Sequence, residues 1–290
     1  MNIAIGIATR GRPAILGEVL AELDRQTRPP DSITVCHVSD SDVAGLPESF
    51  LGVRFITAPA GLPRQRNAIM DALPGADAVL FIDDDFLAGP AWLLILEQVL
   101  TARGDCVVAT GTVIADGAKG PGIGVEEGRA ILAADPAPAD PLRAAPHFNG
   151  YGCNMAIRMA PVRAHGLRFD EALPAYAWYE DIDFTRRLLP HGTILRLEGA
   201  RGVHLGAKVG RQPGVRLGYS QVVNSIHLAR KGSYPWSHAL RSVGRHILAN
   251  GVRSLRPEPE VDRWGRFRGN LRGVWEIATG QAHPGRIDRL

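Results

Sequence analysis

Apolar residues in the first 112 positions fall into short strand-length runs that alternate with stretches at helical spacing. The runs at 3–8, 33–38, 53–57, 79–82 and 107–112 have strand length, and those at 14–26, 64–73 and 92–101 repeat with a period near 3.6. That alternation predicts an α/β fold with a mostly parallel central sheet and helices on both faces. Residues 115–147 are rich in Gly, Ala and Pro and predict a long loop region with one short helix near 126–132. A strand at 155–158, a helix at 180–189 stopped by Pro190 and a strand at 194–197 complete the predicted body. Residues 206–214 are Gly-rich and basic, and are expected to be mobile. Beyond them Val222, Val223, Ile226 and Ala229, then Leu240, Val243, Ile247 and Leu248, recur at helical spacing. The chain therefore divides into a body at 1–215 and an amphipathic helical extension at 216–290, with no internal repeat.

One apolar run ends abruptly. Val79, Leu80, Phe81 and Ile82 lead directly into Asp83, Asp84 and Asp85. Strand stability does not call for three adjacent carboxylates, so a cation is expected there. In an extended chain Asp83 and Asp85 can share one face while Asp84 points to the other, and two oxygen donors on one face suit a hard divalent ion. A solvated acidic turn capping the next helix is the simpler reading of the same residues. In parallel sheets ligands bind outside the carboxyl ends of the strands, where this cluster lies.

Composition narrows the setting. A chain of 290 residues can bury roughly three-quarters of its unfolded surface, ample for a large folded domain. Cys36, Cys106 and Cys153 are far apart and match no metal or redox spacing, which favours a reducing compartment. With no basic leader and no apolar stretch long enough to span a bilayer, a cytoplasmic protein is expected, soluble or peripheral at the inner face of the membrane. Net charge is only +3 but unevenly spread. Residues 1–200 hold 17 Lys and Arg against 25 Asp and Glu, whereas residues 201–290 hold 16 against 5. An acidic body with a basic tail points to an anionic partner for the tail, or to a solvated helical surface.

Further features join the acidic cluster. Two arginines, Arg64 and Arg66, follow Pro63 in a predicted first helical turn, where cations oppose the helix dipole. An anion would reverse that penalty, because backbone N–H groups and guanidinium forks at a helix start bind phosphate. Thr9, Arg10 and Arg12 form a second basic turn at the end of the first strand, and the two turns together suit a nucleoside diphosphate. Trp178 and Tyr179 stand just before Glu180 and Asp181. Flat aromatic faces suit a sugar ring, and a carboxylate beside them can take a hydroxyl proton, although helix capping also explains the acids. His204 sits at a strand end before the Gly-rich stretch, where it is either a ligand or a structural histidine.

The order of these residues carries a resemblance. The Thr9-Arg10 turn, Arg64-Gln65-Arg66-Asn67, Asp83-Asp84-Asp85, Asn149-Gly150-Tyr151-Gly152-Cys153-Asn154-Met155, Glu180-Asp181 and His204 together resemble the bacterial-type, inverting family 2 glycosyltransferases of GT-A fold, over residues 1 to about 205. The resemblance implies that Asp83 lies near the ribose or metal, that Asp85 contacts the metal and that His204 completes its coordination. It further implies that Arg66 and Asp84 belong to the donor site, that Asp181 is the catalytic base, and that Gly152 and Asn154 lie on the acceptor side with Trp178, Tyr179 and Glu180. Where the family has an Asp-containing turn after its second strand, this chain reads Ser39-Asp40-Ser41-Asp42, and Asp40 is taken as the base contact.

The implied chemistry is transfer of a sugar from a nucleotide-diphosphate donor of UDP, GDP or dTDP type to a hydroxyl of a glycan, polysaccharide or lipid-linked acceptor, with Mn²⁺ or Mg²⁺ as cofactor. Two other readings compete: a nucleotidyltransferase that makes sugar nucleotides, for which residues 6–11 are a poor Gly-rich loop, and a non-enzymatic carbohydrate- or nucleic-acid-binding protein. Nucleic acid is disfavoured, and oligomerisation is left open. Trp236, Trp264, Phe267 and Trp275 lie among many arginines in the tail, which suits an interfacial helix on an anionic membrane as well as it suits packing against the body.

Overall fold

The computed structural model of the protein describes residues 1–175, 177–207, 213–256, 258 and 261–290, without the side chain of Lys119. The expectation of a mobile stretch at 206–214 therefore falls, for residues 208–212, outside the described residues. Two compact units emerge, and their boundary is not a single point in sequence. One contains residues 1–60, 64–168 and 187–210, and the other residues 61–63, 169–186 and 211–290.

The first unit is built on a nine-stranded sheet. Its elements run β1 (Ile3–Ala8), α1 (Pro13–Leu23), β2 (Ser32–His37), α2 (Leu46–Ser49), β3 (Val53–Thr57), α3 (Leu62–Ala72), β4 (Ala78–Asp83), β5 (Phe86–Ala88), α4 (Trp92–Ala102), β6 (Cys106–Asp116), α5 (Val125–Ala134), β7 (Ala144–Pro146), β8 (Asn154–Arg158), α6 (Met159–Ala164) and β9 (Thr193–His204), while the first two residues of α3 and most of α7 (Glu180–Leu188) belong to the second unit. The strand order is β3-β2-β1-β4-β8-β6-β9-β5, with β7 pairing on β9. The first four neighbours are all parallel, β8 is antiparallel between β4 and β6, and β6 returns to parallel pairing with β9.

The β1 and β4 runs have almost no polar residue because both faces of these central strands are covered. Ile3, Ile5 and Ile7 of β1 pack with Leu16, Val19, Leu20 and Leu23 from one face of α1, and Trp92, Leu93, Leu96 and Leu100 of α4 continue the same core. Gly6 is required on the other face, since a β-carbon there would lie 2.6 Å from Ile69 of α3. Its absence lets α3 close down on the strand. The α/β class expected from the alternating pattern is the one observed.

The second unit is helical, with α8 (Gly214–Lys231), α9 (Trp236–Ser254) and α10 (Arg263–Ala278). Helices α8 and α10 cross at glycines: a β-carbon on Gly218 would meet the Arg266 carbonyl at 2.0 Å, and one on Gly269 the Val215 carbonyl at 2.1 Å. A buried polar set bridges the three helices, with Asn250 donating to Gln221 at 3.0 Å and to Asn270 at 2.9 Å, and Asn270 donating to the Gly218 carbonyl at 2.8 Å. Residues 169–186, expected with the body, group with these helices. Asp183 of α7 is fully buried and takes bonds from Ser233 at 2.6 Å and Lys231 at 2.8 Å. No helix among the described residues is long and apolar enough to cross a membrane.

Candidate functional site

Sheet register assembles the acidic cluster. Parallel pairing sets Ala8 opposite Asp83, so β1 and β4 end together and the chain after each turns at one edge. After Asp84 and Asp85 the chain re-enters the sheet as β5, which pairs antiparallel with β9 and places Phe86 opposite His204. The bond from the Leu205 N–H to the Asp85 carbonyl, 2.9 Å, locks this junction. On the other side of β9, parallel pairing sets Asp116 of β6 opposite His204. One carboxylate thus lies on each flank of the imidazole.

Asp83, Asp85 and His204 each offer a ligand atom within 4.8 Å of the others. His204 Nε2 lies 3.4 Å from Asp85 Oδ1, and its Nδ1 lies 2.9 Å from Asp116 Oδ1. Asp116 is itself held by the Ala118 N–H at 3.0 Å and the Tyr151 hydroxyl at 3.1 Å. Burial alone would lower the pKa of His204, but hydrogen bonds to Asp116 and Asp85 outweigh it and raise the imidazole to about 10. Burial likewise opposes ionisation of Asp116, yet the contact with His204 and the Ala118 N–H hold its carboxyl at about 2. The carboxylates of the site are thus met by positive charge from His204, Arg12 and Arg66. Two carboxylates and an imidazole whose far nitrogen is oriented by a third carboxylate match the donor chemistry of a divalent cation.

The three aspartates have separate surroundings. Asp84 is buried, accepts from Thr9 Oγ1 at 2.6 Å and pairs with Arg12 Nη2 at 2.9 Å. Burial, aided by the neighbouring carboxylates, pushes it up to about 7 against the pull of Arg12 and Thr9. Asp85 is buried too, but contact with His204, Arg12 Nη1 at 3.1 Å and the Ala207 N–H at 2.8 Å together hold it below its ordinary value despite desolvation. Asp83 is partly open and meets Arg66 Nη2 at 3.2 Å. Arg66, with a side chain only 2 % exposed, also donates to the Gly152 carbonyl at 2.7 Å and lies over the Phe81 ring at 5.6 Å. Beside Tyr151 opens a cavity of about 370 Å³ lined by Thr110, Thr112, His147, Asn149, Tyr151 and Arg196.

The structure thus brings together Thr9, Arg12, Arg66, Asp83, Asp84, Asp85, Gly152 and His204. Arg10, Asp40 and Arg64 are exposed. Asn154 is fully buried in β8, where its carboxamide oxygen accepts from Thr110 Oγ1 at 2.7 Å and the Gly111 N–H at 3.1 Å, which is a sheet-locking duty. Trp178, Tyr179, Glu180 and Asp181 belong to the helical unit. There Tyr179 shares its hydroxyl with Ser242 at 2.7 Å and His246 at 3.2 Å, while Trp178 sits edge-on to His246. Ala175, Ala177 and Tyr179 have φ of 57°, 51° and 73°. Three non-glycine residues in the left-handed region just before Glu180 and Asp181 are costly, at about 1–3 kcal/mol each, and such strain concentrates at functional segments.

Sequence reasoning missed three residues here. Asp116 ends an apolar strand much as Asp83 does, but its strand was expected to stop at Thr112. Asp42 is buried and accepts N–H bonds from Gly11 at 2.8 Å, Ser39 at 2.8 Å and Val38 at 3.0 Å, fixing the turn that carries Arg12. Gln65 donates to the carbonyls of Thr9 at 3.0 Å and Cys36 at 2.8 Å, pinning α3 to the ends of β1 and β2.

Comparison with solved structures gives the fold a precedent. S. aureus TarS, residues 1–349, in complex with UDP-GlcNAc superposes with a TM-score of 0.60 at 13% identity, covering 100% of this chain and 84% of that one. The fold is shared. A mannosyltransferase from Pyrobaculum calidifontis in complex with GDP-Man and Mn²⁺ superposes with a TM-score of 0.54 at 13% identity, covering 95% of this chain and 87% of that one. No family model matches the chain, and no curated protein matches it in sequence.

Proposed function

We propose that the protein is a metal-dependent, inverting glycosyltransferase of the family 2, GT-A type, which moves a sugar from a nucleotide-diphosphate donor to a hydroxyl acceptor. The observation that carries this reading is the Asp83, Asp85 and His204 group at the carboxyl edge of the sheet, with Asp116 orienting the imidazole. The shared fold adds support, because the neighbours are described with UDP-GlcNAc in one case and with GDP-Man and Mn²⁺ in the other.

Asp83, Asp85 and His204 would hold a divalent cation, Mn²⁺ or Mg²⁺. When bound, that ion supplies positive charge to the departing diphosphate. Arg66, buried beside Asp83, is the guanidinium best placed to share that duty, and Arg12 balances Asp84 and Asp85. A carboxylate that takes the proton of the attacking hydroxyl contributes about 10²- to 10⁴-fold, and Asp181 at the start of α7 is assigned that role. Attack on the face opposite the leaving diphosphate inverts the anomeric centre. Asp181→Asn is expected to lower sugar transfer at least about 10²-fold while leaving donor affinity unchanged. Near wild-type transfer by that variant refutes the base assignment, and release of pyrophosphate from a nucleoside triphosphate and a sugar phosphate would refute the transferase itself.

A further inference from the structure

The helical unit turns large apolar side chains outward. On α9, Leu240, Leu248 and Val252, followed by Leu255, are between 58% and 83% exposed. Steps of eight, four and three residues keep them within one side of a helix, opposite buried Ala239, Ser242 and Asn250. On α10, Trp264, Leu271 and Trp275 are between 49% and 58% exposed and recur at steps of seven and four, opposite buried Gly265, Gly269, Gly273 and Glu276. Core packing explains neither stripe.

The two stripes are continuous. Phe267 of α10 rests on Gly251, which falls between the outward positions of α9, so close that a β-carbon there would lie 3.1 Å from the ring. The Phe267 ring in turn stands 6.0 Å from that of Trp264. A single apolar strip thus spans both helices.

Its border is cationic. Exposed Arg241 lies within the α9 stripe, Arg245 and Arg256 flank it, and Arg268 lies within that of α10. Helix α9 contains no acidic residue, and the one acid of α10, Glu276, is buried under Tyr219, Arg272 and Arg286. In a two-fold contact between copies these arginines would oppose one another, and neither helix presents an exposed carboxylate to answer them, Glu258 between the helices being paired with Arg253 and Arg263. Apolar residues and tryptophans edged by arginine instead match the interface of an anionic bilayer, where the rings enter the headgroup region and the guanidiniums meet lipid phosphates.

We propose that the α9–α10 face seats the chain on an anionic lipid surface, lying in the interface and not crossing it. The test is flotation of the full chain with phosphatidylcholine vesicles, with and without phosphatidylglycerol, at low and high salt. Binding is expected only with the anionic lipid, and it should weaken as salt rises. Arg241→Gln, Arg245→Gln and Arg268→Gln combined should reduce partitioning about a hundredfold, at roughly fivefold per arginine. Leu248→Ser with Trp275→Ser should abolish the residual binding, with an unchanged circular dichroism spectrum and melting temperature. Absence of wild-type binding, equal binding to neutral vesicles, or variants that float like wild type would overturn the proposal. So would a concentration-dependent dimer that Leu248→Ser dissolves.

Discussion

Asp116 is a small residue with a large lever. It fixes which nitrogen of His204 faces Asp85 and holds the ring in place, so its loss should loosen any cation bound by the trio without removing a ligand. Asp116→Asn is expected to weaken Mn²⁺ binding about 10- to 100-fold by calorimetry, and an unchanged affinity would show that the pairing is incidental. A second carboxylate tests electrostatics in the helical unit. Bonds from His227 and Lys231 to Asp170 outweigh its desolvation and hold its carboxyl well below the ordinary range. An acid whose folded pKa is depressed adds stability above the unfolded pKa, near 4, and loses it as pH falls through the folded value. Wild type should therefore melt above Asp170→Asn at neutral pH, with the gap closing below pH about 4; a gap constant with pH would contradict this. The acidic triplet, Arg66 and His204 were legible in the sequence because each breaks a pattern of its surroundings. Asp42 and Asp116 were not, because what makes them special is which N–H groups and which imidazole the register brings to them. His204 and Asp116 are 88 residues apart.

Whole elements were easier to read than their ends. The runs at 3–8 and 53–57 match β1 and β3 residue for residue: β1 is buried and stops where polarity returns, and β3, a half-buried edge strand, keeps its apolar residues despite Arg54. Strand β6 escaped in part: Gly111 and Thr112 interrupt its apolar run, which resumes as Val113, Ile114 and Ala115 and ends at Asp116, with a register shift against β9 between Gly111 and Thr112. The tail was legible as helical, but its glycines were silent about packing. At the α8–α10 crossing the obstacle to a β-carbon on Gly218 or Gly269 is backbone, which cannot step aside. Gly269→Ala should cost about 1–3 kcal/mol in chemical denaturation. Gly244→Ala, on the open face of α9 with nothing within 4 Å, should instead gain up to about 1 kcal/mol. Equal effects of the two substitutions would mean that the crossing is looser than the structure shows.

At the scale of the molecule, the sequence predicts an acidic body at 1–215 and a basic helical extension at 216–290, whereas the compact units interleave along the chain. Residues 169–186 also group with the helices, through contacts such as Asp183 with Lys231 and Ser233 that no linear boundary can express. Carboxylates gather at the sheet edge and arginines gather on the outer faces of α9 and α10, so each charge concentration has its own proposed ligand: a cation with a sugar diphosphate for the first, and lipid phosphate for the second. The central claim concerns the first. Titration calorimetry of UDP-GlcNAc and GDP-mannose into the full chain, with and without Mn²⁺, tests it most directly when repeated on Asp85→Asn. The account predicts that at least one donor binds only when Mn²⁺ is present, and that Asp85→Asn loses this binding while keeping its fold by circular dichroism. Donor binding that ignores Mn²⁺, binding that survives in Asp85→Asn, or no binding of either donor would contradict it.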